Sequence, residues 1–229
     1  IVPCFTPFIS PLIPSVLRVA GYDVESLPMS NEESSEYGLK YANNEVCYPA
    51  TLIIGDVIKA LKSGKYSPSQ IAVGITQTGG QCRASNYLPM LKKALVDAGY
   101  SDVPVIALTL GAGIENDQPA FKINWIKILP IALRAVLYSD CINKFYHAAL
   151  VRETYKGAAL ELRNQYLQLG TELIEGGQSS ELIEHLRLIA EDFNSICDDT
   201  KHPKVGIVGE IYLKFSSFGD RNIVDWLAE

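Results

Sequence analysis

Short apolar runs alternate with segments of helical periodicity over residues 1–120. Four of these runs are predicted to be strands, namely IVPCF (1–5), DVESLP (23–28), IAVGIT (71–76) and VPVIALTL (103–110). The last two are apolar at nearly every position, which is typical of strands buried on both faces of a parallel sheet. Strands that alternate with helices predict α/β architecture. The segment 1–120 is therefore expected to form a Rossmann-like lobe, a parallel sheet with helices on both faces.

Three helices are predicted among these strands. The first covers residues 10–22 and is expected to end at Gly21. The second runs from about Pro49 to Leu61, where the apolar residues recur on one face. The third ends near Ala98, and Pro89 fits its first turn because early helical amides have no acceptor within the helix.

The pattern changes after residue 120. Helical periodicity continues to Cys197 without a convincing strand, so residues 121–203 are predicted to be a helical insertion or linker. The apolar run 205–215 predicts a new buried strand, and the residues after it begin another helix. Residues 204–229 are thus expected to start a second α/β unit or to return as a strand and helix. Since the chain opens inside one predicted strand and closes soon after another, we expect it to be part of a longer polypeptide.

Composition and charge exclude several classes of protein. With 229 residues, 48% of them hydrophobic, the chain is long enough to bury a sizeable core. The net charge of −6 argues against a nucleic-acid partner, which normally requires a basic surface. No apolar run reaches the ~18 residues needed to span a bilayer, so a cytoplasmic protein without a membrane partner is expected.

The candidate chemistry centres on two of the five cysteines, Cys47 and Cys82. Cys82 ends the loop QTGGQC, which follows a predicted buried strand, the position where ligands collect in an open parallel sheet. Adjacent Gly79 and Gly80 allow backbone amides to form an anion-binding nest, and Arg83 adds positive charge. Both cysteines fall close to predicted helix starts, where the helix dipole favours a thiolate or an anionic cluster. The two helix starts are expected to converge on one site.

Other interpretations of the polar residues remain open at this point. An odd number of cysteines in a chain of this size argues against a disulfide framework, but free cysteines are often small buried hydrophobes, including Cys47 and Cys82 themselves. That structural interpretation is preferred for Cys4, Cys141 and Cys197. The three histidines, His147, His185 and His202, are interpreted as surface residues. Glu210, within the predicted strand, is either a buried carboxylate with a partner or a strand-end residue in water.

Three segments carry a family resemblance: NNEVCYPATLIIGDVIKALKSGKY (43–66), ITQTGGQCRASNYLPMLKKAL (75–95) and VGIVGEIYLKF (205–215). Their order, and the CYPA and GG-x-CRA-x-NY motifs, resemble the 2-hydroxyacyl-CoA dehydratase and activase-related family, in particular the large fused activator-like proteins of 2-hydroxyglutaryl-CoA dehydratase. The resemblance covers most of the chain. It implies Rossmann-like lobes, an oxygen-sensitive iron–sulfur cluster and an ATP-dependent activase that delivers a low-potential electron.

Carried over to this sequence, the resemblance assigns Cys47 and Cys82 as ligands of a [4Fe–4S] or related cluster, with Gly79, Gly80 and Arg83 shaping the surroundings. The dehydratase subunits use three cysteines, and only two positions match here. The third ligand would be Cys141, lie on another segment or come from another subunit. An aerobic preparation is expected to lose such a cluster.

The leading functional hypothesis is a cluster-binding, electron-accepting portion of an activase-related protein, whose partners are an activase module and an acyl-CoA or another substrate. The sequence has no ATPase motif and neither a phosphate loop nor a G-x-G-x-x-G fingerprint, so any activity would belong to a dehydratase-like or reductase system. The alternative is a non-catalytic scaffold domain that binds an activase or a small anionic ligand at the QTGGQC loop. An unrelated nucleotide-binding enzyme is a third, weaker hypothesis.

Overall fold

The computed structural model describes residues 1–43, 45–77, 86–108 and 121–228. The chain divides into two compact units. The first unit consists of Ile1–Cys4 and Glu25–Lys122, and the second consists of Phe5–Val24 and Ile123–Glu229. The sequence pattern had suggested a boundary near residue 120, but it grouped residues 5–24 with the α/β lobe rather than with the helical unit.

Helices dominate the described residues, and only a small parallel sheet accompanies them. In chain order the elements are α1 (Ile13–Val19), α2 (Glu32–Tyr41), α3 (Tyr48–Lys62), β1 (Val73–Thr76), α4 (Tyr87–Asp97), β2 (Val105–Leu108), α5 (Trp125–Leu150), α6 (Ala158–Glu175), α7 (Glu181–Glu184), α8 (Leu186–Ser195) and α9 (Ile223–Ala228). The helices predicted around 49–61 and up to residue 98 are confirmed as α3 and α4, and helical structure in 121–197 is confirmed as α5 to α8.

The sheet of the first unit pairs β1 with β2 in parallel, with Val73 opposite Val105 and Thr76 opposite Leu108. Both strands lie within the apolar runs that predicted them. Val73 is fully buried and Val105 nearly so, as expected of residues that face a core. The α/β character of this unit is therefore confirmed on a small scale.

The first residues of the chain form a hydrogen-bonded bridge with residues 25–27. Val2 forms a parallel bridge with Ser26. The Val2 amide donates to the Glu25 carbonyl at 2.9 Å, and the Leu27 amide donates to the Val2 carbonyl at 2.8 Å. The two N-terminal strands that the sequence predicts are thus reduced here to one bridge.

The same start of the chain bonds to β1 on its other side. The Ile1 nitrogen donates to the Ala72 carbonyl at 2.8 Å, and the Gly74 amide donates to the Ile1 carbonyl at 2.8 Å. These bonds have the pattern of a parallel pair. The hydrogen-bonded order across the unit is therefore residues 25–27, residues 1–2, β1 and β2.

Helices α2 and α3 cross at very short range. A Cβ added to Gly55 would lie 1.7 Å from the Ser34 carbonyl oxygen, and one added to Gly38 would lie 2.1 Å from the Thr51 carbonyl oxygen. Only glycine permits such an approach, because any side chain would meet backbone atoms of the partner helix. The sequence pattern did not predict α2, although its start carries a capping box between Asn31 and Ser34.

A buried carboxylate lies in the same interface. Asp56 of α3 is 1% exposed and accepts a hydrogen bond from the Ser30 hydroxyl at 2.6 Å. The Lys59 ammonium lies 3.7 Å from its other oxygen and donates to Asn31 and Ser34 at 2.9 and 2.6 Å. Burial raises the pKa of the Asp56 carboxyl above its ordinary value, since desolvation disfavours the charged form, although the Ser30 hydrogen bond opposes this.

The second unit packs α1 with α5 to α8 around one hydrophobic core. Tyr138 of α5 is fully buried, and its hydroxyl donates to the Tyr166 carbonyl of α6 at 2.6 Å. A buried hydroxyl requires such a partner, because leaving it unpaired costs about 1–3 kcal/mol. This bond fixes the register between the two longest helices of the unit.

The predicted strand over 205–215 is wrong. Residues 204–211 form neither helix nor strand, and Leu213–Phe215 form a 3₁₀ turn. Val208 is 92% exposed, and exposed Glu210 accepts the Leu213 amide at 2.9 Å instead of occupying a buried strand. An apolar run becomes a strand only when another strand satisfies its backbone, and no described segment pairs with it.

Among the residues described here, no helix combines the length and the apolar character that crossing a membrane requires.

Substitution of Gly55 by Ala tests the close helix crossing. We expect Gly55→Ala to lower the free energy of unfolding by about 3 kcal/mol or more, because the new Cβ would meet backbone rather than a flexible side chain. The measurement is urea denaturation followed by circular dichroism. Gly206→Ala is the matched control, since no atom lies within 4 Å of the added Cβ. Equal effects of the two substitutions would contradict the crossing.

The buried Asp56 predicts a pH dependence of stability. Its raised pKa means that the folded state holds the proton more tightly than the unfolded state does. Stability is therefore lost as pH rises from the unfolded pKa, about 4, through the higher folded pKa. We expect Asp56→Asn to remove this loss, so that the variant gains stability relative to wild type as pH increases. Urea titrations between about pH 4 and pH 8 measure the difference.

The exposed Asp102, in the same unit, provides the control for that titration. Asp102→Asn is expected to leave the shape of the stability curve unchanged. Parallel curves for wild type and Asp56→Asn would show that the buried carboxylate does not govern this pH dependence.

Candidate functional site

Cys47 occupies the residue immediately before α3. It is the N-cap, with φ −67° and ψ 150°, and Pro49 lies in the first turn of the helix. The Cys47 carbonyl accepts the amides of Ala50 at 3.0 Å and Thr51 at 3.3 Å. The half-buried thiol therefore lies at the positive end of a helix of 15 residues, as the sequence predicted.

Tyr87 links this thiol to the start of a second helix. The Cys47 sulfur lies 3.5 Å from the Tyr87 hydroxyl oxygen, and either atom can be the donor. Tyr87 is the first residue of α4, and Asn86 is its N-cap. This contact joins the residue before α3 to the first residue of α4. The predicted convergence of Cys47 and Cys82 remains a prediction, because Cys82 lies outside the described residues.

The segment between β1 and α4 carries the other predicted site residues. Cys82, Gly79, Gly80 and Arg83 all lie outside the described residues. At its start, the Gln77 amide donates to the Leu108 carbonyl of β2 at 3.2 Å. At its end, α4 begins at the residue that contacts Cys47. Cys82 is five positions before Tyr87 in the sequence.

Two of the described cysteines other than Cys47, namely Cys4 and Cys197, have hydrogen-bond partners. The thiol of buried Cys4 donates to the Met29 sulfur at 3.0 Å, and the Cys197 thiol donates to the Phe193 carbonyl at 3.1 Å. Burial, followed by the nearby Asp140 carboxylate, raises the pKa of the Cys141 thiol. Cys141 lies in α5 of the second unit.

No three His, Cys, Asp or Glu side chains within the described ranges are placed to hold one metal ion. Cys82 falls outside those ranges, so the predicted pair of ligands is not tested by this observation. Of that pair, the described ranges contain Cys47 alone.

The prediction that all three histidines lie on the surface fits His202, which is exposed, but not His147. The His147 ring lies 5.0 Å from the Tyr146 ring and 5.7 Å from the Phe8 ring, and its Nδ1 pairs with the Asn143 carbonyl at 2.8 Å. Burial lowers the pKa of His147, because desolvation disfavours the imidazolium. Phe8 is distant in sequence, so helical periodicity alone does not reveal this contact.

Tyr87 is the site residue to which sequence reasoning gave no role. It ends the GG-x-CRA-x-NY motif, which drew attention to its cysteine and glycines. The available signal was its position at the start of the helix that follows the glycine loop.

Comparisons of the chain with models of known protein families, with curated proteins and with solved structures found no match. The family resemblance given by the sequence motifs therefore remains a prediction.

Proposed function

We propose that the first unit is the iron–sulfur cluster-binding, electron-accepting portion of a 2-hydroxyacyl-CoA dehydratase activase-related protein. The observation that carries the proposal is the contact between the Cys47 sulfur and the Tyr87 hydroxyl. It brings the helix that begins beside Cys47 next to the helix that follows the Cys82 loop. Cys47 and Cys82 are the proposed ligands of a [4Fe–4S] or related cluster.

The electrostatics of the helix starts favour such a cluster. Iron–sulfur clusters are bound by thiolates and are commonly anionic with their ligands. Cys47 and Tyr87, which are in contact, lie at the N-termini of α3 and α4, where a helix carries partial positive charge. The half-buried position of Cys47 limits contact with solvent without closing the thiol off. Once bound, a cluster of this kind would accept one electron at low potential.

The arrangement of the parallel segments supports a Rossmann-like sheet for this unit. Their spatial order is residues 25–27, residues 1–2, β1 and β2. From residues 1–2, the chain first adds residues 25–27 on one side and then adds β1 and β2 on the other side, so the order of addition reverses between residues 1–2 and β1. Ligands of doubly wound folds bind outside the carboxyl ends of the strands at this kind of switch point. The segment that leaves the carboxyl end of β1 contains Gly79, Gly80 and Cys82, so the proposed ligand lies on the appropriate connection.

The partners follow from the proposed role. An ATP-dependent activase, in the same polypeptide or separate, would supply the electron, and an acyl-CoA is the proposed final acceptor. The third ligand of the cluster would be Cys141, lie on another segment or come from another subunit. Free thiols suit a reducing compartment, and we propose the cytoplasm as the location.

A non-catalytic interaction domain is the second candidate function. An apolar face on α5 favours it, because Ile126, Leu133 and Leu137 are 91%, 60% and 49% exposed. Positions that are seven and four residues apart lie on one side of a helix. Exposed apolar faces of this kind commonly mark contacts with other proteins.

Iron binding by anaerobically reconstituted protein tests the cluster proposal. We expect stoichiometric iron and acid-labile sulfide in wild type, and loss of both in Cys47→Ala and in Cys82→Ala, because removing a thiolate ligand opens the site. Chemical analysis of iron and sulfide, together with the visible absorption spectrum, provides the measurement.

Cys197→Ala is the matched control, because the Cys197 thiol already has a backbone partner in the helical unit. Its iron content is expected to equal that of wild type. Circular dichroism establishes that each variant is folded. Full retention of iron after loss of both Cys47 and Cys82 would reject the proposal and favour the interaction domain.

A further inference from the structure

The helical unit contains a cleft that has no part in the proposed cluster site. Its volume is about 1060 Å³. One wall is the end of α5 and the residues that follow it, from Asn143 to Arg152. The opposite walls are residues 200–207 and the helix α9. The volume is slightly above the roughly 300–1,000 Å³ range of small-molecule sites.

The polar part of this cleft is basic. Four cationic side chains contribute to its lining, Lys144, Arg152, Lys201 and Lys204, and no carboxylate does. The Lys144 ammonium forms an ion pair with the Asp140 carboxylate at 2.8 Å. Asp140 itself is not part of the lining. Such a concentration of positive charge is notable in a chain of net charge −6, because it creates a local preference for anions against the average field.

An exposed carboxylate, Asp198, lies next to this cleft. The pKa of Asp198 is lowered, first by hydrogen bonds with Thr200 and then by the positive charges of His202 and Arg152. The Asp198 amide donates to the Arg152 carbonyl at 2.9 Å. The lowered pKa of Asp198 therefore reflects mainly its hydrogen bonds with Thr200, and the charges of the cleft contribute less.

The remaining lining is largely apolar. Leucine, isoleucine and valine side chains from all of its walls contribute, namely Leu150, Val151, Val205, Ile207, Val224 and Leu227. Val205 is 62% exposed and Leu227 is 39% exposed. Apolar side chains left in contact with water at a concave surface gain free energy when a ligand covers them.

We propose that this cleft binds a small anionic amphiphile, a molecule with a carboxylate or phosphate head and an apolar chain. The head pairs with Lys201, Lys204 and Arg152, and the chain lies against the apolar walls. An uncharged chain would lack the ionic contacts, and a simple anion would leave the apolar walls in water. The proposal rests on the helical unit alone and is independent of iron binding.

Calorimetric titration of the full chain with four ligands of equal chain length tests the inference. Octyl phosphate and octanoate are expected to bind, and octanol and octylamine are expected to bind at least about tenfold more weakly. The two anions distinguish a phosphate head from a carboxylate head, since a site for either one favours it over the other. Inorganic phosphate serves as the head group without a chain and is expected to bind weakly.

A charge-removing variant distinguishes recognition of the anionic head group from nonspecific hydrophobic binding. Lys201→Gln/Lys204→Gln is expected to weaken binding of the preferred anion about tenfold and to reduce its salt dependence, because two exposed positive charges are lost. Lys156→Gln is the matched control, since Lys156 is an exposed lysine of the same unit outside the cleft lining. Its affinity is expected to equal that of wild type.

Leu227→Asp tests the apolar wall. This substitution is also expected to weaken binding of the two anions, because it brings a carboxylate into the lining and removes apolar contact. Three results would overturn the inference: no binding of either anion, equal affinity for octanol and the anions, or unchanged affinity in the double lysine variant. Circular dichroism of each variant ensures that a loss of binding reflects the cleft rather than unfolding.

Discussion

The first unit depends on parallel hydrogen bonds between segments that are distant in sequence. Ile1 and Val2 lie between residues 25–27 and β1, and they bond to both. Parallel neighbours require a crossover connection rather than a tight turn, so helices must fill the intervals between the paired segments. α2 and α3 lie between residue 27 and β1, and α4 lies between β1 and β2. The parallel ladder thereby requires connections long enough to contain these helices.

The starts of α3 and α4 define the candidate site. α4 follows β1 along the chain, and Tyr87 at its start contacts Cys47 at the start of α3. In open parallel sheets, the connections that leave the carboxyl ends of the strands are where ligands collect. The close crossing of α3 with α2 supports the arrangement, because Gly55 lets the Ser34 carbonyl approach to a distance that no side chain would allow.

Buried polar groups serve different purposes in the two units. In the first unit, Asp56 is held by Ser30 and lies near Lys59, at a desolvation cost that appears as a raised pKa. In the second unit, the hydroxyl of Tyr138 joins two helices through a neutral hydrogen bond. The basic cleft of the second unit has cationic groups at its surface instead, where they remain hydrated until an anion binds.

Hydrophobic periodicity by itself determined the elements whose signals are local: α3, the strands β1 and β2, and the helical stretch that contains α5 to α8. It also placed Cys47 at a helix start. It missed α2 and predicted a strand over 205–215, because the apolar residues of a run do not reveal whether a partner strand exists. The bonds of Ile1, the glycine crossing and the meeting of Cys47 with Tyr87 were decided only by tertiary structure, since each joins backbone or side chains that are far apart along the chain.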